Sequence, residues 1–264
     1  MSDRYALIGN PVAHSKSPAI HAEFARATGQ DLEYGLIEAP LDGFAAAVEQ
    51  FREHGGKGLN VTLPFKEQAF RLARQTSERA RAAQAVNTLR FEDEFGDNTD
   101  GIGLIRDLRD HLGMSLQGKA LLVLGAGGAA QGVVGALLEA GVAQVSIANR
   151  TAARAEALAA RFPAVRACGY DALHGAVFDI VVNATSAGLA DEAPPLPAGL
   201  LDHAALAYDM VYGRDTPFLR AARTAGVRAS DGLGMLVEQA AESFFVWRGV
   251  RPATRPVLEK LRGA

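Results

Sequence analysis

The sequence has 264 residues, 48% of them hydrophobic and 22% charged, with 27 basic against 30 acidic side chains for a net charge of −3. That is a globular composition, long enough for about two domains, and it excludes a disordered tail or a fibre. With no basic excess to neutralise phosphates, nucleic acid is not an expected partner. A lone cysteine, Cys168, forms no internal disulfide, and neither a CxxC nor a paired-histidine spacing offers a metal site, so no metal is expected. His14 and His21 read as structural. The opening apolar run is too short for a secretion signal, and no stretch approaches about 20 apolar residues, so the expectation is a cytoplasmic protein without a membrane partner.

In chain order, Tyr5–Ile8 reads as a strand. Ser17–Thr28 follows as a helix, with Ser17 as N-cap and Pro18 at its first position. Leu32–Ile37, Gly58–Val61 and Val86–Phe91 are further strands, with helices over Phe44–His54 and Lys66–Ala73 between them. This alternation predicts a largely parallel sheet covered by helices. The segment from Asp100 to Gly113 reads as a helix bridging two domains. A second series then begins. Ala120–Leu124 is continuously apolar, as a strand buried on both faces requires. Helix Ala129–Ala140, strand Gln144–Ala148, helix Ala152–Phe162, strands Phe178–Asn183 and Ala205–Met210, and helix Phe218–Ala225 complete it. A long helix, Leu233–Trp247, carries apolar residues at helical spacing.

Gly125-Ala126-Gly127-Gly128-Ala129-Ala130 directly follows the buried strand and opens a helix. In that context G-x-G-x-x-A predicts a dinucleotide turn, where backbone N–H groups at the helix start meet a pyrophosphate. An NAD-binding unit would place an acid about 20 residues on, to accept from the ribose 2′-hydroxyl. Here the next strand ends at Asn149-Arg150-Thr151, with Arg154 following. Two guanidinium groups and a hydroxyl suit a 2′-phosphate, so the cofactor expected is NADP(H).

The first series carries the polar residues. Ser15 and Ser17, two hydroxyls near a helix start, suit a small carboxylate. Asn60 and Thr62 alternate with Val61 and Leu63 and share a face. Lys66 falls in a helix's first turn, where the helix dipole opposes a cation and favours the neutral amine that a base requires. Asn87-Thr88 lies in a strand, Asn98-Thr99-Asp100-Gly101 opens a helix, and Gln239 sits beside the apolar stripe of the long helix.

Together these pieces resemble the shikimate dehydrogenase family over essentially the whole chain. The resemblance rests on Gly9-Asn10-Pro11 through Ser15-Lys16-Ser17-Pro18, Asn60-Val-Thr62-Leu-Pro64-Phe-Lys66, Ala85-Val-Asn87-Thr88, Asn98-Thr99-Asp100-Gly101, the glycine turn, Asn149-Arg150-Thr151, Asp209-Met210-Val-Tyr212, and Asp231-Gly232 through Gln239. It implies an α/β fold of two domains with an active-site cleft between them. Residues 1–101, completed by helices over about 236–264, would form the substrate domain, and residues 102–235 a Rossmann-type NADP-binding domain. It implies reversible, NADP-linked reduction of 3-dehydroshikimate to shikimate, a step of aromatic amino-acid biosynthesis, by a monomer or homodimer.

By the same resemblance Ser15 and Ser17 bind the substrate carboxylate, and Asn60, Thr62, Asn87, Asp100, Tyr212 and Gln239 surround its ring. Lys66 and Asp100 form the catalytic pair. Met210 and Gly232 face the nicotinamide, and Glu78 matches a cofactor position. A carboxylate beside Lys66 favours the ammonium, which suits a proton donor, whereas desolvation favours a base. The competing expectations are an enzyme of broader specificity that also takes quinate, and a catalytically silent NADP-binding sensor that would need neither Lys66 nor Asp100. A methylene-tetrahydrofolate dehydrogenase shares the two-domain plan but not the paired serines or the Asn-Arg-Thr run.

Overall fold

A computed structural model of the chain describes residues 2–263 and divides into two compact units, Met1–Gly103 with Leu236–Ala264, and Leu104–Met235. The first unit runs β1 (Asp3–Gly9), α1 (Ser17–Thr28), β2 (Leu32–Glu38), α2 (Phe44–Glu53), β3 (Gly56–Val61), α3 (Lys66–Leu72), β4 (Gln75–Thr76), α4 (Glu78–Ala83), β5 (Thr88–Arg90) and β6 (Phe95–Asp97). Then α5 (Asp100–Arg106) carries the chain out through a π-helical turn at Asp107–His111.

The sheet of this unit has the order β2-β1-β3-β5-β6-β4. It is mixed, which corrects the expectation of a largely parallel sheet. β1 lies parallel to β2 and β3, but β5 runs antiparallel to both β3 and β6. The reason is a hairpin whose four-residue loop, Phe91-Glu92-Asp93-Glu94, lacks the Asn-Gly or Asp-Gly pair that would mark it in the sequence. Glu94 takes the left-handed conformation there (φ 53°). Ala6, Ile8, Phe44, Leu59, Val61 and Phe65 form the core of this unit.

The second unit contains β7 (Ala120–Leu124), α6 (Gly128–Glu139), β8 (Gln144–Ala148), α7 (Ala152–Ala159), β9 (Val165–Cys168), β10 (Ile180–Asn183), β11 (Leu206–Asp209), α8 (Pro217–Thr224) and β12 (Ala229–Asp231). All of its strands are parallel, in the order β12-β11-β10-β7-β8-β9. Numbered within the unit this is the doubly wound order 3-2-1-4-5-6, whose direction reverses between β7 and β10. Leu121, Leu122, Val123 and Leu124 are all fully buried, as strands covered on both faces must be. The short edge strands β9 and β12 are not evident in the hydrophobic pattern. α9 (Leu233–Arg248) and α10 (Arg255–Arg262) follow, and from Leu236 the chain belongs again to the first unit.

Within the second unit Tyr208 donates its buried hydroxyl to Asp107 Oδ2 at 2.6 Å. Burial beside that carboxylate holds the Tyr208 phenol well above 10. A methyl group on Gly234 would run into the Asp107 carboxylate. Because Asp107 is fully buried and tied to Tyr208, it has no open space to retreat into. Gly234→Ala is therefore expected to cost about 1–3 kcal/mol, the usual penalty of overpacking. A lower urea midpoint at unchanged slope would show it, and an unmoved midpoint would mean that Asp107 yields freely.

Candidate active site

Two groups of polar residues stand out, one in each unit. In the first unit Lys66 is the opening residue of α3, preceded by Phe65 at the cap position. Its ammonium lies 2.5 Å from Asp100 Oδ2, with side chains only 13% and 7% exposed. Asp100, first in α5, is held on its other oxygen by Asn87 Nδ2 at 2.8 Å, and its backbone N–H donates to Asn98 Oδ1 at 3.1 Å. Asn87 is fixed in turn. Its Oδ1 accepts from the Thr99 N–H (2.9 Å) and the Thr88 hydroxyl (2.9 Å), and its Nδ2 also reaches Thr99 Oγ1 (2.9 Å). A carboxylate so restrained presents one oxygen to the lysine and keeps the ammonium pointing one way, as a proton donor requires. Gln239 Oε1 approaches Asn87 Nδ2 at 3.4 Å, which sets α9 beside this group.

Ser15 and Ser17 are also brought together, with hydroxyl oxygens 3.1 Å apart. Their local roles differ from the expectation. Ser17 is the first helical residue rather than the N-cap; Lys16 occupies the cap position without a side-chain bond, and Ser15 Oγ accepts the Ser17 N–H at 3.2 Å. Ser15 thus serves the helix start itself. Thr62 follows β3 and is half-buried. Asn60, expected at a substrate ring, is buried. Its amide donates to the Asn87 carbonyl (3.1 Å), Ser243 (2.9 Å) and Thr88 (3.2 Å), and its carbonyl accepts from Tyr34 (2.8 Å). Tyr34 and Ser243 were not anticipated. They meet Asn60 from 26 and 183 residues away, and no local pattern marks such partners. Glu78, expected to contact cofactor, is an exposed residue in the first turn of α4, behind the N-cap Ser77.

In the second unit Gly125 ends β7 with φ 103°, a conformation that favours glycine. Gly127 caps α6 with no side-chain bond to the helix's free N–H groups, and Ala126, Gly128 and Ala129 complete the turn. A Cβ on Gly127 would meet nothing within 4 Å, so the space beside this helix start is open. This cradle, at the reversal point of the sheet, fits a pyrophosphate. At the end of β8, Asn149 Nδ2 donates to the Thr151 carbonyl at 2.9 Å. Arg150, Thr151 and Arg154 are exposed, and among the described residues neither arginine has a carboxylate partner. A pair of uncommitted guanidinium groups there fits a 2′-phosphate.

Met210 and Tyr212, both half-buried, follow β11. Asp209 braces that turn: it accepts from the Val211 N–H (3.0 Å), Thr216 (2.6 Å) and Asn183 (3.2 Å), and burial pushes its carboxyl up. A Cβ on Gly232 would strike the Met210 carbonyl, so only glycine passes there. Among the described residues no group of three or more His, Cys, Asp or Glu side chains is placed to hold a metal ion, and no helix is long and apolar enough to cross a membrane.

Comparison with known proteins places this geometry. Residues 7–89 match the shikimate dehydrogenase substrate binding domain, residues 107–190 the shikimate/quinate 5-dehydrogenase family, and residues 232–262 the shikimate 5′-dehydrogenase C-terminal domain. A shikimate dehydrogenase (NADP(+)) of Methylobacillus flagellatus is 58% identical over 269 residues, covering 99% of this chain and 100% of that protein. The chain belongs to the shikimate dehydrogenase family. Among solved structures in this family, shikimate 5-dehydrogenase from Thermus thermophilus, in complex with NADP(H) and shikimate, is 38% identical with a TM-score of 0.88 over 98% of each chain. An Ael1 enzyme from Pseudomonas putida is 55% identical, with a TM-score of 0.93 over 98% of each chain. The family's substrate domain and Rossmann-type NADP domain correspond to the mixed sheet and the doubly wound sheet described above.

Proposed function

We propose that this chain catalyses the NADP-dependent, reversible reduction of 3-dehydroshikimate to shikimate, with Lys66 and Asp100 as its proton-transfer pair. The observation that carries this reading is the restrained ion pair: Lys66 Nζ sits 2.5 Å from a carboxylate whose second oxygen is fixed by Asn87. The bound nicotinamide supplies or accepts the hydride. In the reductive direction the Lys66 ammonium gives a proton to the oxygen that becomes the hydroxyl, and Asp100 keeps the ammonium aimed at it. In the oxidative direction the same nitrogen takes the hydroxyl proton. Ser15 and Ser17 donate to the substrate carboxylate, and Thr62, Asn87, Gln239 and Tyr212 meet the ring hydroxyls. Met210 and Gly232 form the wall against the nicotinamide. Gly125–Ala129 receives the pyrophosphate, Asn149, Arg150, Thr151 and Arg154 receive the adenosine end, and Glu78 belongs to this set more loosely. The setting proposed is the cytoplasm, as a monomer or homodimer.

The test is NADPH formation followed by absorbance with shikimate and with quinate, each with NADP+ and with NAD+. Turnover of shikimate with NADP+ in clear preference to the other three pairs is expected. Equal use of quinate would support the broader specificity named in the family description, and no turnover of any pair would favour a cofactor-binding sensor. Arg150→Ala is expected to raise KM for NADP+ by about 10- to 100-fold, the size of a charge-assisted hydrogen bond to phosphate. KM for NAD+, which lacks that phosphate, should stay put. An equal rise for both cofactors would remove Arg150 from phosphate recognition.

A further inference from the structure

In the first unit one cation joins the turn that carries Asp100 to the helix that carries Gln239. Asp97 closes β6 and is buried, at the foot of that turn. Its Oδ1 accepts from the Asn98 N–H at 2.7 Å and from the Ser77 hydroxyl at 2.5 Å. Asn98 donates its amide to the Ala85 carbonyl at 3.0 Å and accepts the Asp100 N–H at 3.1 Å. Arg79, on α4, grips the same Asp97 carboxylate with two nitrogens: Nε donates to Oδ1 at 2.8 Å and Nη2 donates to Oδ2. That Nη2 also reaches Glu242 Oε1 on α9 at 3.1 Å. Glu242 is buried as well, and Arg251 meets its other oxygen at 2.6 Å. Gln239 and Ser243, on either side of Glu242 in α9, meet Thr99 Oγ1 of the turn at 3.5 and 3.2 Å.

A cation in the first turn of a helix gains nothing from that helix, and burying carboxylates such as Asp97 and Glu242 costs desolvation that apolar side chains would avoid. What the network supplies is fixed geometry, because the planar guanidinium meets a carboxylate through two parallel bonds. We propose that Arg79 is a positioning residue for Asp100, its guanidinium clamping Asp97 to Glu242 so that the turn from Asp97 holds Asp100 against Lys66. This rests on the proton-transfer role given above to Lys66 and Asp100. Arg79 bonds to neither of them and acts through the turn.

Arg79→Lys keeps the charge and loses the fork that spans both carboxylates. It is expected to lower kcat with shikimate by about tenfold to a hundredfold, as small misplacements of a reacting group do. The dissociation constant of NADP+, titrated by fluorescence, should not move. Two readouts separate positioning from a loss of folded protein. The solvent deuterium isotope effect on kcat is a ratio that the folded fraction does not alter, and it should rise above the wild-type value as proton transfer slows relative to the other steps. Because Arg79 acts through the ion pair, adding Arg79→Lys to Lys66→Ala should lower kcat by less than about twofold further. Glu242→Gln leaves Arg79 on Asp97 and removes the charge on α9; it should show the same pattern, and it decides by the same criteria should Arg79→Lys fold poorly. An unmoved kcat, an unmoved isotope effect, or the full factor repeated on Lys66→Ala overturns the proposal. Wild-type protein that leaves shikimate untouched overturns the functional reading and this inference with it. Wild-type turnover with an unmoved kcat in the variants overturns this inference alone.

Discussion

Replacing Lys66 by alanine is expected to lower kcat with shikimate by about 10²–10⁴, the usual contribution of one positioned acid–base group. KM should change little, because the serine pair and the other proposed substrate contacts remain. The geometry accounts for the size. The ammonium faces the restrained Asp100 oxygen at 2.5 Å, and among the described residues no second basic side chain shares that carboxylate. Asp100→Asn tests the other half: a neutral amide no longer holds the ammonium by charge, so kcat falls while NADP+ affinity stays. Steady-state rates from NADPH absorbance, with fluorescence titration of NADP+, separate these effects. Turnover of Lys66→Ala near that of the wild type would take Lys66 out of the proton transfer.

A second large effect is expected on stability towards acid, and His21 is its source. The ring is fully buried between Tyr34, Phe24, Phe244 and Trp247, and burial holds its pKa down to about 3 against 6.5 in an unfolded chain. Between those values the unfolded chain binds a proton that the folded one refuses. Stability is therefore complete above about pH 6.5 and is lost as pH falls towards 3, by about 1.4 kcal/mol per pH unit. Between pH 7.5 and pH 5 the loss is about 2 kcal/mol. Asp209 pulls the other way: its raised carboxyl contributes at low pH and fades as pH rises through its folded value. Urea unfolding at several pH values reads the slope. His21→Phe keeps an aromatic ring and should flatten it; parallel slopes for the two proteins would assign the acid limb to other groups.

The second unit was the more legible of the two in the amino-acid sequence. Ala120–Leu124 is apolar at every position because it is covered on both faces, and the small residues from Gly125 follow a tight turn in which Gly125 takes φ 103° against Ala184 and Thr185. Such features are local and leave local marks. The hairpin of β5 and β6 left none, since its loop is built from Phe91 and acidic residues, and one antiparallel partner changed the reading of the whole first sheet. At the candidate site Lys66, Asp100 and Asn87 were recognisable from their motifs. Their mutual geometry was not, because it depends on hydrogen bonds across 13 to 34 residues. Asn60 shows the limit most clearly. Its place on a strand face predicts exposure to a ligand, yet Tyr34 and Ser243, remote in the chain, claim its polar atoms. The hydrogen-bond partners of a motif asparagine thus lie on residues that no motif contains.

The discontinuity of the first unit has a consequence for how the protein is made. Tyr5 stacks on Trp247 at 4.5 Å, Phe24 meets Phe244 edge-on, and Asn60 bonds to Ser243. On the ribosome all of the early partners emerge long before α9, with residues 104–235 synthesised in between. Those intervening residues are contiguous and carry their own core, so they can reach their native state first. The amino-terminal segment must meanwhile keep an aromatic face and a set of buried-type polar groups uncovered until α9 emerges, and a message truncated just before codon 236 would strand it in that condition.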